Sequence, residues 1–222
     1  MEKIHGTSAS VTYTHSYGPT PQVTYFSGGA KHENFFSIFD HEKLLDRFAE
    51  LGCGDENVTV FGEACGGKVQ AMSHTYGKEL RFIAFEVKIG KAWLSVPDAE
   101  DVVAKLGLEF VPYKRVPATV EALNAERDRP SRVAIRRGIE EEKMSEGIVI
   151  RPLIEMRDNR GERILAKHKR PEFSERKSKK DTVVRSLEEL EVLSRAHDIA
   201  DEWVTPMRLE HVLDKLDAPL DM

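Results

Sequence analysis

The first two-thirds of the chain show the short-period alternation of apolar and polar positions that is typical of β-strands. Ala9, Val11 and Tyr13 are separated by polar residues, and β-branched or aromatic runs recur further along the chain. Because successive side chains of a strand point to opposite faces, this pattern predicts strands with one buried face. The predicted strands cover residues 9–13, 23–26, 58–64, 80–88 and 147–151.

Helical spacing occurs between these strands and dominates the end of the chain. Asp40 is placed to cap a helix that ends at Gly52 and whose apolar residues share one face. Further helices are predicted over 98–106, over 118–137 with a break at Pro130, and on both sides of Pro206. Strands interrupted by helices without regular alternation predict an α+β fold of mostly antiparallel sheets with flanking helices, plus a short helical C-terminal appendage.

The composition is that of a protein with a real core and restricts the class of protein. With 222 residues, 40% hydrophobic and 32% charged, the chain is long enough for one sizeable domain. It has no apolar run of about 18 residues and no secretory signal, so no membrane partner is expected. Cys53 and Cys65 indicate neither a disulfide framework nor a zinc site. We expect a reducing compartment, the cytoplasm, or a host cytoplasm if the gene is viral.

The net charge of −5 conceals an asymmetry near the C-terminus. Residues 163–180 contain eight Lys or Arg and two Glu, whereas residues 181–222 contain eleven Asp or Glu and four Lys or Arg. A basic segment of this density can bind phosphates even in an acidic protein. Charge alone leaves two interpretations open: a phosphate-binding strip, or a solvated loop beside an acidic helix.

A lysine near the start of the chain heads an ordered series of short motifs. Lys3-Ile4-His5-Gly6-Thr7 is a weak pattern by itself, since chance produces such spacings in many proteins. It is followed in order by Phe61-Gly62-Glu63, Phe82-Ile83-Ala84-Phe85-Glu86-Val87, Glu146-Gly147-Ile148-Val149-Ile150-Arg151 and Lys167-His168-Lys169. Together these elements resemble the motifs of the covalent nucleotidyltransferase superfamily. DNA ligases and capping enzymes tend to have aspartate at the position of His5. With histidine there, the first motif resembles that of the nick-sealing, RNA ligase 2-like family of ATP-dependent RNA ligases.

The resemblance covers roughly residues 2–173 and implies both a fold and a reaction. The fold is a nucleotidyltransferase (ATP-grasp-like ligase) core over 1–173, followed by a charged linker and helical tail over 174–222. In the reaction a lysine attacks the α-phosphorus of ATP, AMP moves to an RNA 5′-phosphate, and a 3′-hydroxyl then displaces AMP. ATP and Mg²⁺ (or Mn²⁺) are the implied cofactors, and RNA ends or a nicked duplex are the implied partners. RNA repair is the implied process, and a monomer is favoured.

Lys3, Lys167 and Lys169 are the catalytic candidates. An amine is nucleophilic only when deprotonated, and nearby cations and partial desolvation favour the deprotonated form. Lys167 and Lys169 are two residues apart, so on a strand both point the same way and can reach one phosphate group. They would supply the positive field and meet the charge of the triphosphate. In the alternative interpretation they are merely exposed strand residues.

By resemblance, the nucleotide-binding residues come from every motif of the series. They are Glu2, Ile4, His5, Gly6, Glu63, Phe85, Glu146, Lys167 and Lys169. Glu63 is expected to hold the ribose hydroxyls, Phe85 to stack on adenine, and His5 to contact phosphate or pyrophosphate. The residues alone leave open that Phe85 is a core side chain and that Glu146 belongs to a solvent-facing acidic run.

Metal and RNA contacts complete the expected site. Glu86 and Glu146 are expected to meet a metal through water, with Glu86 on the opposite strand face from Phe85. The expected RNA contacts lie beyond the last motif and are Arg176, Lys177, Lys179 and Lys180.

Three features depart from the family pattern. The chain begins two residues before Lys3, where the family has some tens of residues, which predicts a truncated sequence or a protein that lacks that layer. Ser8 stands where asparagine is usual and Val23 where arginine is expected, with Lys31 the candidate replacement. Two alternatives therefore stay open: an RNA-binding module of the same fold with impaired catalysis, and a DNA ligase or capping-type nucleotidyltransferase.

Overall fold

The computed structural model describes residues 1–14 and 20–173 of the chain. The predicted linker, helical tail and RNA contacts Arg176, Lys177, Lys179 and Lys180 lie outside these residues. The described strands are β1 (Thr7–Thr14), β2 (Gln22–Ser27), β3 (Val58–Cys65), β4 (Arg81–Ile89), β5 (Ala92–Trp93), β6 (Glu109–Phe110), β7 (Gly147–Ile150) and β8 (Ala166–Lys169). The described helices are α1 (His32–Phe36), α2 (His41–Glu50), α3 (Ser73–Tyr76), α4 (Val96–Lys105), α5 (Val120–Arg127) and α6 (Arg132–Arg136).

The strands form two separate sheets, and most of their pairings are antiparallel. The larger sheet has six strands in the order β2-β1-β3-β4-β5, with β6 pairing in parallel with β4. The smaller sheet consists of β7 and β8, in antiparallel register with Val149 opposite Lys167. This mixture of helices and mostly antiparallel sheets confirms the predicted α+β fold. No helix in the described ranges has the length and apolar character needed to cross a membrane.

One face of the larger sheet forms the hydrophobic core beneath the helices. Alternate residues of β1 and β3, such as Val11 and Val60, are fully buried on this face. The Tyr13 ring stacks on Phe48 of α2 with centroids 5.4 Å apart, and the Phe35 ring of α1 meets Phe82 edge-on at 5.8 Å. Because alternate residues face opposite ways, the polar residues of the same strands lie on the other face, which is left available for a site.

The helices predicted before residue 138 occur close to their expected positions, whereas those predicted on both sides of Pro206 lie outside the described residues. The Asp40 side chain accepts a hydrogen bond from Lys43 N, as expected of the residue that caps α2, and Leu44 and Phe48 are buried. Helix α4 begins two residues earlier than predicted because Ser95, not Asp98, is its N-cap. Pro97 is compatible with the first helical turn, where its missing N–H would have no partner inside the helix.

Strand β4 contains one extra residue opposite β3. Glu86 pairs with Phe61 and Ala84 with Gly62, so Phe85 is the bulged residue. In a regular strand Ala84 and Val87 would face opposite sides, yet both are completely buried on the core face. The bulge also directs the neighbouring side chains of Phe85 and Glu86 into one cavity. The prediction that Glu86 points away from Phe85 is therefore wrong, because it assumed unbroken alternation.

Candidate active site

Lys3 lies where the chain passes from the smaller sheet to the larger one. The first residues pair with β7: Lys3 N donates to Gly147 O at 2.9 Å, and Val149 N donates to Met1 O at the same distance. Four residues after Lys3, the chain enters β1 of the larger sheet. The backbone of Lys3 is thus held by regular hydrogen bonds beside both sheets, which fixes the direction of its side chain.

Glu2 anchors this segment to α6. Its carboxylate accepts hydrogen bonds from Ser131 Oγ at 2.6 Å and from Arg132 N at 2.8 Å, at the start of the helix. Burial raises the pKa of Glu2, while these hydrogen bonds oppose the shift. Glu2 was predicted to bind the nucleotide; it borders the cavity next to Lys3, and its carboxylate also caps α6. These hydrogen bonds hold Glu2, the residue before Lys3, against the start of α6.

Glu146 is the centre of a cluster of cationic side chains. Lys3 Nζ donates to Glu146 Oε2 at 2.7 Å, His5 Nδ1 lies 3.0 Å from the same oxygen, and Lys169 Nζ lies 3.1 Å from Oε1. The Glu146 side chain is only 4% exposed and that of Lys3 14%. Burial tends to raise the pKa of Glu146, but hydrogen bonds from Lys3 and Lys169 outweigh it and lower the pKa. Glu146 is therefore a buried carboxylate, not part of a solvent-facing acidic run.

A cavity of about 240 Å³ opens next to Lys3 and is called the Lys3 cavity here. Its polar lining includes Lys3, Glu63, Glu86 and Lys167, and Phe85 contributes an aromatic wall. Its volume is close to the lower end of the range for small-ligand pockets, about 300–1,000 Å³. Residues predicted from four separate motifs therefore meet around one space. Phe85 also packs against the core, so the two interpretations of this side chain are compatible.

Glu63 presents a carboxylate oxygen without a partner near Lys3. Its Oε2 atom is buried and has no hydrogen-bond partner among the described residues. Burial raises the pKa of Glu63 to about 7, although Lys3 and Lys167 act in the opposite direction. A buried carboxylate oxygen is costly to leave unpaired, so this atom is suited to accept a hydrogen bond from a bound ligand.

The unusual pKa of Glu63 gives a prediction for the stability of the ligand-free protein. Because the pKa of Glu63 is higher in the folded protein than in the unfolded chain, the protonated carboxyl group stabilises the fold. This contribution is complete below about pH 4.5 and is lost as pH rises through about 7. We expect the thermal unfolding midpoint to decrease between pH 5 and pH 8, and Glu63→Gln to flatten that decrease. Differential scanning fluorimetry across this range measures both, with exposed Glu121→Gln as the control. An equal pH dependence in wild type and Glu63→Gln would contradict the assignment.

Glu86 is held by two arginines that sequence reasoning did not select for the site. Arg163 donates to both carboxylate oxygens, at 2.9 and 3.1 Å, and its guanidinium lies 3.9 Å from the centre of the Trp93 ring. Arg151 Nη1 lies 2.9 Å from Glu86 Oε1, an ion pair without hydrogen-bond geometry. Glu155 accepts from both arginines. These contacts connect β4 and β5 with the segment between β7 and β8 along one side of the Lys3 cavity.

The basic strip predicted over residues 163–180 is not a single exposed surface. Arg163 is bound to Glu86 and Glu155, and Lys169 is bound to Glu146. Arg170 is buried and its Nε donates to Arg127 O at 3.2 Å. Lys167 lines the Lys3 cavity. Three of the eight cations thus have partners within the fold and a fourth lines the cavity, because a charge count does not reveal which side chains already have partners.

The remaining predicted contacts are divided between the site and the fold. His5 N donates to Tyr76 Oη at 3.0 Å, and the His5 ring lies 5.5 Å from that of Phe173. Ile4 is a core residue that also lines the Lys3 cavity. At Gly6 an added Cβ would lie 2.4 Å from Ala64 O, so β1 and β3 meet there only because residue 6 has no side chain.

None of the positions that depart from the family pattern lines the Lys3 cavity, although Ser8 is the cross-strand neighbour of Glu63 in its wall. Val23 is buried on the core face of β2, so no residue at this position would face the cavity without rebuilding the strand. Ser8 lies opposite Glu63 across β1 and β3, and its O atom accepts from Gly28 N. Lys31, the predicted substitute for an arginine, lines a separate groove and not the Lys3 cavity.

The carboxylates of the site do not form a metal cage by themselves. Within residues 1–14 and 20–173, no group of three or more His, Cys, Asp or Glu side chains could hold an ion. Glu86 is neutralised by Arg151 and Arg163, and Glu146 by lysines. Mg²⁺ usually keeps several waters and binds one or two carboxylates together with substrate phosphates. The side chains present therefore fit a metal that arrives with phosphates, with Glu146 and Glu86 as the predicted contacts through water.

Comparison with known proteins agrees with this fold. The RNA ligase family model matches residues 1–169, and no curated protein matches the chain. A Naegleria gruberi RNA ligase variant solved with ATP and Mn is 17% identical over 78% of this chain and 49% of its own, with a TM-score of 0.55. The Naegleria gruberi RNA ligase with PPi is 18% identical over 76% and 48%, with a TM-score of 0.53. The chain thus spans about half the length of these ligases and shares their fold.

Proposed function

Since the chain belongs to the RNA ligase family, we propose that it activates ATP through a covalent lysyl-AMP intermediate on Lys3 and joins RNA ends. The observation that carries this proposal is the position of Lys3. Its amine contacts the buried Glu146 and also faces the Lys3 cavity, whose walls include Glu63, Phe85 and Lys167. A nucleophile, an aromatic wall and a phosphate-binding lysine thus surround a space of about the size of one nucleotide.

In the first step, Lys3 Nζ forms a bond to the α-phosphorus of ATP and the bond from that phosphorus to pyrophosphate breaks. The amine must lose a proton to attack, and Glu146 Oε2 is an acceptor 2.7 Å away through which it can leave. Glu146 also sets the direction of the amine, because positioning and charge stabilisation account for most of the catalysis of phosphoryl transfer. Lys167 and Lys169 offset the negative charge of the phosphates.

The adenosine part of ATP fits the remaining walls of the Lys3 cavity. A ribose hydroxyl can donate to the unpaired Oε2 of Glu63, and the Phe85 ring can stack on adenine, a contact of about 1–3 kcal/mol. A divalent metal, Mg²⁺ or Mn²⁺, would offset phosphate charge when bound. The Naegleria ligases with the same fold were solved with ATP and Mn or with PPi, which supports this choice of ligands.

In the later steps, the AMP on Lys3 passes to an RNA 5′-phosphate, which releases the lysine and forms a 5′–5′ pyrophosphate bond. An RNA 3′-hydroxyl then attacks the 5′-phosphorus, forms the new phosphodiester and releases AMP. The membership of the RNA ligase family supports RNA as the polynucleotide. A nicked duplex with a 5′-phosphate and a 3′-hydroxyl is the proposed substrate, and repair of broken RNA is the proposed process.

The test follows one labelled nucleotide through the reaction. The protein is incubated with α-labelled ATP and a divalent metal, and the covalent label is measured after denaturation. A nicked RNA duplex is then added, together with an all-DNA duplex of the same sequence as the matched substrate. We expect a labelled protein, transfer of label to RNA, and sealing of the RNA nick. Without a covalent label the enzyme proposal is rejected, and preferential sealing of DNA would reassign the substrate.

Lys167 and Lys169 give a separate prediction for the first step. If both offset charge on the triphosphate, Lys167→Ala or Lys169→Ala slows self-adenylylation at least about tenfold, equivalent to about 1.4 kcal/mol in the barrier. Single-turnover AMP transfer without RNA measures this effect. Exposed Lys91→Ala is the control for loss of a lysine. Normal adenylylation with weakened RNA binding would instead assign both lysines to the RNA.

A further inference from the structure

The described chain has a second cavity that is larger than the Lys3 cavity. It is an open groove of about 1040 Å³, compared with about 240 Å³ for the Lys3 cavity. Its walls are formed by the segments that follow β2 and β3, by α1, by the start of β4 and by the turn before β6. Lys31, Lys68 and Lys78 line it, and we call it the lysine groove.

The three lysines that define the groove carry charge without a partner. Lys31, Lys68 and Lys78 are exposed, and none of them belongs to an ion pair formed within the described residues. Three exposed ammonium groups around one groove give it a local positive charge that can attract an anion. In a protein with a net charge of −5, this is a local departure from the average.

The carboxylates of the groove wall, in contrast, already have partners. Glu79 pairs with Arg81 at 2.8 Å. Glu109 binds Arg137 and Arg136, at 2.5 and 3.3 Å. An anionic ligand in the groove would therefore meet free ammonium groups and neutralised carboxylates.

The lysine groove lies at one end of the larger sheet. This is the end at which β1 begins, four residues after Lys3. Strand β1 begins at Thr7 opposite Ala64, close to the end of β3, and Cys65 is opposite Arg81 at the start of β4. The groove walls continue from these strand ends. Gly29 in the groove wall packs directly against Thr7 of β1, since an added Cβ on Gly29 would lie 2.9 Å from Thr7 Oγ1.

The loop that carries Lys68 has a strained backbone. Gln70 and Ala71 have φ angles of 51° and 54°, in the left-handed region that residues other than glycine rarely adopt. Such residues cost on the order of 1–3 kcal/mol each and cluster at ligand-binding sites. Gln70 and Ala71 are not among the residues that line the groove, so the case for binding rests on its charge and shape.

We infer that the lysine groove binds the sugar–phosphate backbone of the RNA beside the break. The inference rests on the proposed function for the choice of RNA. The groove has about four times the volume of the Lys3 cavity, which suits several nucleotides instead of one. Lysine contacts phosphate as a point charge and does not read bases, so the groove holds RNA without a sequence preference.

The test compares two triple variants with the same change in net charge. One carries Lys31→Gln, Lys68→Gln and Lys78→Gln, and the control carries Lys91→Gln, Lys105→Gln and Lys114→Gln at exposed sites outside both cavities. Fluorescence anisotropy measures binding of a labelled nicked RNA duplex, without ATP, at several salt concentrations. Each lost phosphate contact reduces the slope of log affinity against log salt by about 0.7–0.9. We expect the groove variant to lose about two units of slope and at least tenfold in affinity at low salt, and the control to retain both.

Two results would overturn the inference. One is an unchanged slope and affinity in the groove variant; the other is an equal loss in both triple variants, which would show a general charge effect. A second measurement locates the contact: RNA should protect Lys31, Lys68 and Lys78 from amine acylation. Protection by polyglutamate of equal charge but not by RNA would reassign the groove to an acidic protein. Covalent labelling of the wild type by ATP is scored separately, so failure of the proposed function is distinguishable from failure of this inference.

Discussion

Replacing Lys3 by alanine is expected to abolish covalent attachment of AMP. Lys3 Nζ is the nucleophile of the proposed first step, and its side chain is held between the Lys3 cavity and Glu146. Among the described residues no other amine donates to Glu146 Oε2, so the rate of self-adenylylation should fall at least about a thousandfold, equivalent to about 4 kcal/mol. Mass spectrometry of wild type after incubation with ATP and metal should place one added AMP on the peptide that contains Lys3.

Two further variants separate the nucleophile from the ion pair it forms. Lys3→Arg keeps a cation beside Glu146 but provides no nucleophilic amine, so it should fold normally and remain unlabelled. Lys91→Ala removes an exposed lysine and should be labelled at the wild-type rate. Label that persists in Lys3→Ala would transfer the role to another residue and remove the basis of the proposed mechanism.

Replacing Glu146 by glutamine is expected to have the second largest effect. The change removes the only described carboxylate between Lys3 and Lys169, so the two ammonium groups lose the charge that holds them in position. Self-adenylylation should slow about a hundredfold, about 2.7 kcal/mol in the barrier, because both nucleophile and phosphate contact are misplaced. The rate is measured in a single turnover well below the unfolding temperature, at saturating ATP.

A loss of stability must be distinguished from this effect. Removal of one partner of a buried ion pair can destabilise a protein strongly, because the other charge is left unpaired. Adding Lys169→Met to Glu146→Gln should restore part of the unfolding midpoint without restoring the rate. The rate of the double variant is therefore compared with that of Lys169→Met alone; equal rates would show that Glu146 serves only the fold.

The sequence was most informative where the signal is local. The strands around Val11 and Val60 and the helix capped by Asp40 follow from alternation and from end signals, since each depends on residues a few positions apart. The family was recognisable because its motifs occur in a fixed order. The clustering of Lys3, Glu63 and Lys167 was expected from that resemblance, and no property of the residues alone would have predicted it.

The contacts that sequence reasoning missed join distant parts of the chain. Glu86 and Arg163 are 77 positions apart, and Glu2 lies 130 positions before the amide of Arg132 that it caps. A charged residue carries no local sign of its partner, so Arg163 was assigned to a basic strip. The only local hint is that Arg151 directly follows β7, where a polar residue can reach the rim of a site.

The bulge in β4 has a consequence for how this strand tolerates change. Ala84 and Val87 both face the core only because one surplus residue separates them, so the spacing along the strand matters as much as its composition. A substitution at Phe85 alters one wall of the cavity and leaves the pairing of β3 with β4 intact. Deleting Phe85, in contrast, would remove the surplus residue, so Val87 could stay opposite Val60 on the core face in unbroken alternation while the cavity lost its aromatic wall. A one-residue deletion at the bulge is therefore expected to damage the site more than the core.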